Sequence, residues 1–356
     1  MVPPVFNNQT STQEWPLISI LIVNYNGAQI LNDCLTSLRQ ITYPHVEVVV
    51  VDNASTDASA SVLQTHGWVR VVQSDTNRGF SGGNNFGLAA CSGRLILLLN
   101  SDTIVTPDFL QPLVGYLGAH PQVGVVQGKM ILSRHAKALD VCGSFLTGFG
   151  FLYHYGYWKQ DAEKYHRSYP VFTVKGACLL FRVEMIEAVG GYLFNEDFFC
   201  YYEETDFCHR VWLAGFEVHF VHAATIQHLQ GATSENTQAA GFVLRQYLTN
   251  QTFALMSNLS AGSLCRILPP YFLLFFASMA LAALTGKKVV FQAHRHALVY
   301  NLSRLSKIRA QRRLVRRIRK KSDRQIFLKV MRNPRLEYYL KTFQSRLSEY
   351  VDPPIS

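Results

Sequence analysis

Asp102 closes the segment Asn100-Ser101-Asp102-Thr103, directly after five apolar residues, Leu95, Ile96, Leu97, Leu98 and Leu99. An apolar run with no polar alternation predicts a strand buried on both faces in the middle of an α/β sheet. An acid at the carboxyl end of such a strand lies in the crevice where open α/β sheets bind ligands, so Asp102 is aimed at a substrate. The competing reading is a turn or N-cap acid before Pro107. A second group is Glu203, Glu204 and Asp206, three carboxylates in four positions beneath the aromatic run Phe198, Phe199, Tyr201 and Tyr202. Carboxylates are common proton-transfer groups. Acids that complement a helix dipole account for one or two of the three. The polar stretch 77–85, Asn-Arg-Gly-Phe-Ser-Gly-Gly-Asn-Asn, opens a helix. Such a loop can bring backbone N–H groups and a helix dipole to a phosphate, with Arg78 as an added cation. It has the spacing of neither a P-loop nor a Gly-x-Gly-x-x-Gly fingerprint, and a tight connection is the alternative.

The elements that must position these groups read as strands and helices in alternation. Residues 17–23 predict a first strand, 24–27 a turn, and 28–40 a helix with Ile30, Leu31, Cys34, Leu35 and Leu38 on one face. Residues 46–51 predict a second buried strand that stops at Asp52, and 69–73 a third. Uninterrupted apolar strands joined by helices predict right-handed crossovers and a mostly parallel central sheet. Beyond Asp102 come a helix at 107–117, a strand near 123–131, a strand from 174 to 181, a helix at 183–189, a helix carrying Arg210, Val211 and Leu213, a strand around 218–221 leading to His228, and a helix through about 259. The stretch 133–169, rich in Gly and Tyr and holding His135, His154 and His166, reads as an insertion or mobile flap without a catalytic residue.

The chain has 356 residues and is 48% hydrophobic, enough for one large core with an appendage. Its net charge of +10 is concentrated: residues 304–324 hold eleven Lys or Arg and one acid, and the remainder sums to zero. The body therefore offers no general field for nucleic acid. Seven scattered cysteines without a Cys-x-x-Cys pair predict reduced thiols in a cytoplasmic compartment, with neither a disulfide framework nor a structural zinc site. Residues 1–16 show no basic-then-apolar targeting pattern and read as a flexible lead-in.

Seven ordered blocks carry a family resemblance: Leu-Ile-Val-Asn-Tyr-Asn-Gly at 21–27, Val-Asp-Asn-Ala-Ser-Thr-Asp at 51–57, the loop 77–85, Leu-Leu-Asn-Ser-Asp-Thr at 98–103, Lys-Gly-Ala at 175–177, Tyr-Glu-Glu-Thr-Asp-Phe at 202–207 and His-Leu-Gln-Gly-Ala-Thr-Ser at 228–234. From about residue 18 to 234 the chain resembles a family-2 inverting glycosyltransferase of the GT-A fold, and among these the bacterial rhamnosyltransferases of cell-surface polysaccharide synthesis. The resemblance implies a GT-A domain over 17–260, with a nucleotide-binding half at about 17–130 and an acceptor half at about 131–260. It assigns Asn24, Asn26 and Asp52 to the base and ribose, and Arg78, Gly79 and Asn84 to the diphosphate or sugar. Asp102 looks like the metal-binding acid of the family's Asp-x-Asp signature, His228 like the second ligand of a Mg²⁺ or Mn²⁺ ion, Glu204 like the catalytic base, and Glu203 and Asp206 like supporting acids. Two positions depart from the pattern. Asn100 replaces the first Asp of the signature and removes a charge from the metal and ribose site. Glu204 stands where an Asp is usual, and its carboxylate reaches about 1.5 Å further.

The chemistry suits these residue types. A departing diphosphate needs a divalent cation held by few protein groups, and an acceptor hydroxyl needs a base, worth about 10²–10⁴-fold. One base without a carboxylate nucleophile implies a single displacement with inversion. The implied partners are a dTDP- or UDP-sugar donor and a glycan or polyprenyl-diphosphate-linked acceptor, with no nucleic acid.

The segment 267–286 is twenty residues without a charge, near the length of a membrane span. A crossing would put the basic segment opposite a catalytic domain that uses cytoplasmic donor, and Pro269-Pro270 disfavours a straight helix. Residues 261–356 are therefore expected to be a helical, basic appendage on the cytoplasmic face of the inner (plasma) membrane, peripheral or re-entrant, with residues 301–323 an amphipathic helix facing anionic lipid. The alternatives are a sugar nucleotidyltransferase, which would want a basic Gly-rich loop where the uncharged Asn24-Tyr25-Asn26-Gly27 stands, and an RNA-binding protein recruited by the tail, which would want a basic body.

Overall fold

The computed structural model describes residues 15–133, 138–229, 237–343 and 346–355. His135 and the end of the last block, residues 230–234, lie outside the described residues. So does nearly all of the lead-in. The body is built in chain order from β1 (Ile18–Asn24), α1 (Ala28–Leu38), β2 (Val46–Asp52), α2 (Ser59–Thr65), β3 (Arg70–Gln73), α3 (Gly79–Leu88), β4 (Leu95–Leu99), β5 (Thr103–Val105), α4 (Leu110–Ala119) and β6 (Val123–Leu132). It continues with β7 (Ser144–Leu146), β8 (Leu152–His154), β9 (Tyr169–Pro170), β10 (Cys178–Arg182), α5 (Met185–Ala188), α6 (Glu203–Leu213), β11 (Glu217–His228) and α7 (Thr237–Asn258).

Among the described residues the main sheet runs β3-β2-β1-β4-β10-β6-β11-β5, with β9 added on β11. Side chains alternate across it as the two-residue strand period requires. Ile18, Ile20, Ile22, Leu95, Leu97 and Leu99 pack with Leu31, Leu35 and Leu38 of α1 and Leu110, Leu113 and Leu117 of α4. Leu21, Val49, Val51, Ile96 and Leu98 face the other core, with Phe207 and Val211 of α6. Covering both faces is what makes the continuous apolar strands necessary, each buried aliphatic side chain contributing about 1.5–3 kcal/mol.

The first four strands in space are parallel, as expected. The rest of the sheet is mixed: β10 is antiparallel to both β4 and β6, and β5 is antiparallel to β11. A doubly buried strand has the same apolar composition in either direction, so its sequence carried no sign of this. The order reverses between β1 and β4, which places a ligand crevice at their carboxyl ends, beside Asn24 and Asn100.

The segment expected as a flap is instead an aromatic core. Phe145, Tyr153, Tyr155, Tyr165 and Tyr169 are buried and pack edge to face or stacked on one another. The chain's end plugs into it. Asp352 accepts hydrogen bonds from the Tyr153 hydroxyl at 2.7 Å, the Tyr165 hydroxyl at 2.9 Å and the Gly156 amide at 2.9 Å.

The C-terminal region holds α8 (Ala261–Leu284), α9 (Lys288–Ser303), α10 (Leu305–Ile318), α11 (Asp323–Val330) and α12 (Leu336–Phe343). α8 runs unbroken through Pro269 and Pro270. It is long and apolar enough to cross a membrane. It nevertheless lies along the body, with Ile267, Tyr271 and Phe275 buried on one face and the Tyr271 hydroxyl 2.7 Å from that of Thr252. The basic amphipathic segment also differs from expectation. Ile308 and Val315 of α10 are buried against the body, so its apolar face is not free for lipid, and only its cationic face is exposed.

Candidate functional site

The pairing of β5 with β11 sets Thr103 opposite His228. This register brings Asp102 to the imidazole: the Asp102 carbonyl accepts from the Leu229 amide at 2.9 Å, and the Asp102 carboxylate lies 3.3 Å from His228 Nε2. The other ring nitrogen, Nδ1, is 2.8 Å from Asp140. Asp140 is fully buried, and its second oxygen accepts from Lys175 Nζ at 2.5 Å. Burial opposes a charge on His228, but the carboxylates of Asp102 and Asp140 outweigh it and lift the imidazole to about 9. Burial likewise opposes the Asp140 charge, and Lys175 and His228 outweigh it, holding this carboxyl well below the usual range.

This donor set fits a divalent cation. Two ligands about 2.1 Å from one ion and at right angles stand about 3 Å apart, close to the 3.3 Å between Asp102 and His228. A carboxylate behind the imidazole is the usual second partner of a metal-bound histidine. Among the described residues no group of three acid, His or Cys side chains is arranged to hold an ion alone. Asn100 has no side-chain hydrogen bond among them and stands two residues before Asp102.

Glu204 lies in the first turn of α6. Burial pushes its carboxyl up to about 7, with the Lys175 charge pulling the other way. Glu203 is buried, and burial followed by the charge of Glu204 raises it well above the carboxylate range. Of the two, Glu203 is the more enclosed and the more strongly raised, and the less enclosed Glu204 is the better placed to exchange a proton near neutrality. Asp206 belongs to neither role. It is buried, accepts from Arg210 Nε at 2.9 Å and from Asn258 Nδ2 at 2.8 Å, and anchors α6 to α7.

The loop that delivers Glu204 is strained. Phe199, Tyr201 and Tyr202 have φ of 60°, 67° and 74°, in the left-handed region that side chains avoid. Asn250 of α7 holds it there, donating to the carbonyls of Phe198, Cys200 and Tyr201 at 3.0, 3.0 and 2.7 Å. From the other side the Ser81 amide donates to the Phe199 carbonyl at 3.0 Å. Gly79, at φ 67°, is required at this contact because a Cβ would stand 2.3 Å from that carbonyl oxygen.

The residues expected at the nucleotide are mostly braces around the crevice. Asn24 is buried, its amide nitrogen donating to Ser55 and Ser59, so it ties β1 to the β2–α2 loop. Asn26, at φ 50°, accepts from the Thr56 amide at 2.7 Å. Asp52 accepts from the Ser55 amide and Gln73, and Asn84 donates to the Phe80 carbonyl. Arg78 is exposed, its Nε on Ser74 and its guanidinium over Phe86. Asp140, Lys175 and Asn250 were missed as site residues. The lone acid in Leu139-Asp140-Val141 was the available signal, an ionisable group inside an apolar run.

Residues 19–190 match the family model described as Glycosyl transferase family 2. The chain is 29% identical over 218 residues to the low-salt glycan biosynthesis hexosyltransferase Agl10 of Haloferax volcanii, covering 58% of this chain and 66% of that protein. Matches to other curated relatives cover as little as 25% of their length. The fold is that of the mannosyltransferase PcManGT from Pyrobaculum calidifontis, solved with GDP-Man and Mn²⁺, at a TM-score of 0.54 and 18% identity over 94% of this chain and 86% of that one. It is also that of GalNAc-T7, solved with UDP, GalNAc and Mn²⁺, at a TM-score of 0.61 and 14% identity over 93% and 58%.

Proposed function

We propose that the protein is a metal-dependent inverting glycosyltransferase, a reading supported by the match of residues 19–190 to the glycosyl transferase family 2 model and by the GT-A fold. It moves a sugar from a nucleoside-diphosphate donor to a hydroxyl of a growing cell-surface glycan. The observation that carries this reading is the Asp102–His228–Asp140–Lys175 chain ending beside Glu204. It supports a reading in which Asp102 and His228 form a two-ligand cation site, linked through Lys175 to a carboxyl that burial pushes up to about 7.

The donor lies across the carboxyl ends of β1 and β4. Asp102 and His228 are the residues that would hold a Mg²⁺ or Mn²⁺ ion, which would supply positive charge to offset that of the departing diphosphate. Asp140 fixes the imidazole so that Nε2 faces the site. Glu204 takes the proton of the acceptor hydroxyl as that oxygen forms its bond to the anomeric carbon and the diphosphate leaves. With Glu204 acting as base and no carboxylate assigned as nucleophile, one displacement inverts the anomeric centre. The family resemblance of the sequence blocks favours rhamnose on dTDP or UDP as donor and a polyprenyl-diphosphate-linked acceptor.

The enzyme works at the cytoplasmic face of the plasma membrane. On α8 the side chains of Leu273, Phe276, Leu281 and Leu284 are exposed, and Leu284 is 86% accessible. A helix with one face packed on its own domain and the other apolar lies in the interface rather than across it. The test is a thermal-shift screen of nucleotide sugars with Mn²⁺ or Mg²⁺, followed by transfer with the stabilising donor. Metal-dependent stabilisation by one donor is expected. Metal-independent turnover would overturn the assignment of Asp102 and His228.

A further inference from the structure

At the amino end of α8 a cavity of about 800 Å³ opens between that helix and α11. Three arginines line it, Arg266, Arg319 and Arg324, against one acid, Asp323. Asp323 is already used internally: it accepts from the Ser260 amide at 2.8 Å and from Arg319 Nη1 at 2.5 Å. Arg266 and Arg324 are exposed and have no ion-pair partner among the described residues. Two unneutralised guanidinium groups on one cavity form a site for a phosphate, which they can meet with paired N–H donors. The first turns of α8 and α11 open on the same cavity and add partial positive charge.

The position of Arg266 tells where the phosphate comes from. Counting along α8, Arg266, Leu273, Ala277, Ala280 and Leu284 fall on one side of the helix, and all five are exposed. The cation thus stands in line with the apolar stripe that faces outward, at one end of a helix about 36 Å long. Leu328, on the rim of the same cavity, is 75% exposed. A cation pocket bordered by exposed leucine matches the boundary between headgroups and acyl chains, where the two environments lie a few ångströms apart.

We propose that this cavity binds the phosphate headgroup of an anionic phospholipid and so fixes the depth and direction of α8 on the bilayer. The proposal rests on the membrane-surface reading given above. It adds a defined headgroup site to that reading.

Vesicle flotation of the full chain separates the two. Phosphatidylcholine vesicles with and without phosphatidylglycerol are compared for the unaltered protein, for Arg266→Gln with Arg324→Gln, and for a control pair on the exposed face of α10, Arg313→Gln with Arg317→Gln. The unaltered protein should bind both vesicles, and the anionic ones more tightly. The cavity pair should lower binding to anionic vesicles by roughly thirtyfold, the worth of two basic residues at a charged surface, while binding to neutral vesicles stays. The control pair should lower it far less. Equal losses for the two pairs would reduce the effect to general charge and overturn the site. Release from vesicles by inorganic phosphate at constant ionic strength, abolished in the cavity pair, would reassign the cavity to free phosphate. Failure of the unaltered protein to bind either vesicle would overturn the membrane reading itself.

Discussion

Glu204 and His228 are the residues whose chemistry the surroundings change most usefully. Because burial lifts Glu204 to about 7, a base at this position would be unprotonated only above neutrality, and kcat should rise with pH along a limb centred near 7. The same shift has the opposite sign for stability, since a carboxyl raised on folding favours the protonated state and its contribution is lost as pH climbs through about 7. Glu204→Gln should keep donor affinity and lower kcat by about 10²–10⁴-fold. Near-normal kcat would pass the role to another group. Lys175→Gln should move the acid limb upward, because it removes the charge that opposes the rise. Asp102→Ala and His228→Ala should each abolish metal-stimulated donor binding in calorimetry. Asp140→Asn, which touches the imidazole but not the ion, should weaken metal affinity by about 10–100-fold. Asp206→Ala should instead damage the fold, since it leaves the buried Arg210 without its carboxylate, a loss of about 3–5 kcal/mol in urea unfolding.

At the scale of elements, the site depends on two joints. One is the β5–β11 register, which sets His228 beside Asp102. A one-residue slip would turn the imidazole to the other face. The other is α7, whose Asn250 holds three carbonyls of the strained loop before Glu204. Asn250→Ala should cost roughly 1–3 kcal/mol through carbonyls left unsatisfied. It should also lower kcat more than donor affinity, because the loop relaxes and carries Glu204 away from the acceptor. Equal kcat in unaltered protein and Asn250→Ala would show that the strain is not used to place the base.

Across the whole molecule, the C-terminal region and the body share one core. The hydrophobic cluster that holds Leu21 and Phe207 extends through Ile267, Tyr271, Ile326, Tyr338 and Tyr350. Truncation after about residue 259, which a separable tail would tolerate, should therefore leave an unstable, aggregating chain. Asp352→Ala tests the same coupling with less disruption. It strands two buried tyrosine hydroxyls and an amide, and should cost roughly 3 kcal/mol, read as a lower urea midpoint with an unchanged slope. No change in midpoint would show that the terminal residues merely rest on the surface.

The sequence alone determined the parallel half of the sheet and the crevice at its carboxyl edge, and it singled out Asp102, Glu204 and His228 as candidates. Strand burial and block motifs are written in consecutive residues, so these features are legible locally. Tertiary structure alone decided the antiparallel insertion of β10, the role of Asp140 behind His228, and the demotion of Asp206 to an anchor for Arg210. It also turned the described part of the expected flap, residues 138–169, into a core and seated α10's apolar face on the body. Each of these depends on a partner far along the chain: Asp140 and His228 are 88 positions apart, and Tyr153 and Asp352 are 199. Local patterning shows that a buried acid or an aromatic cluster needs a partner. Only the packed chain, which must satisfy every buried charge at once, says which partner it is.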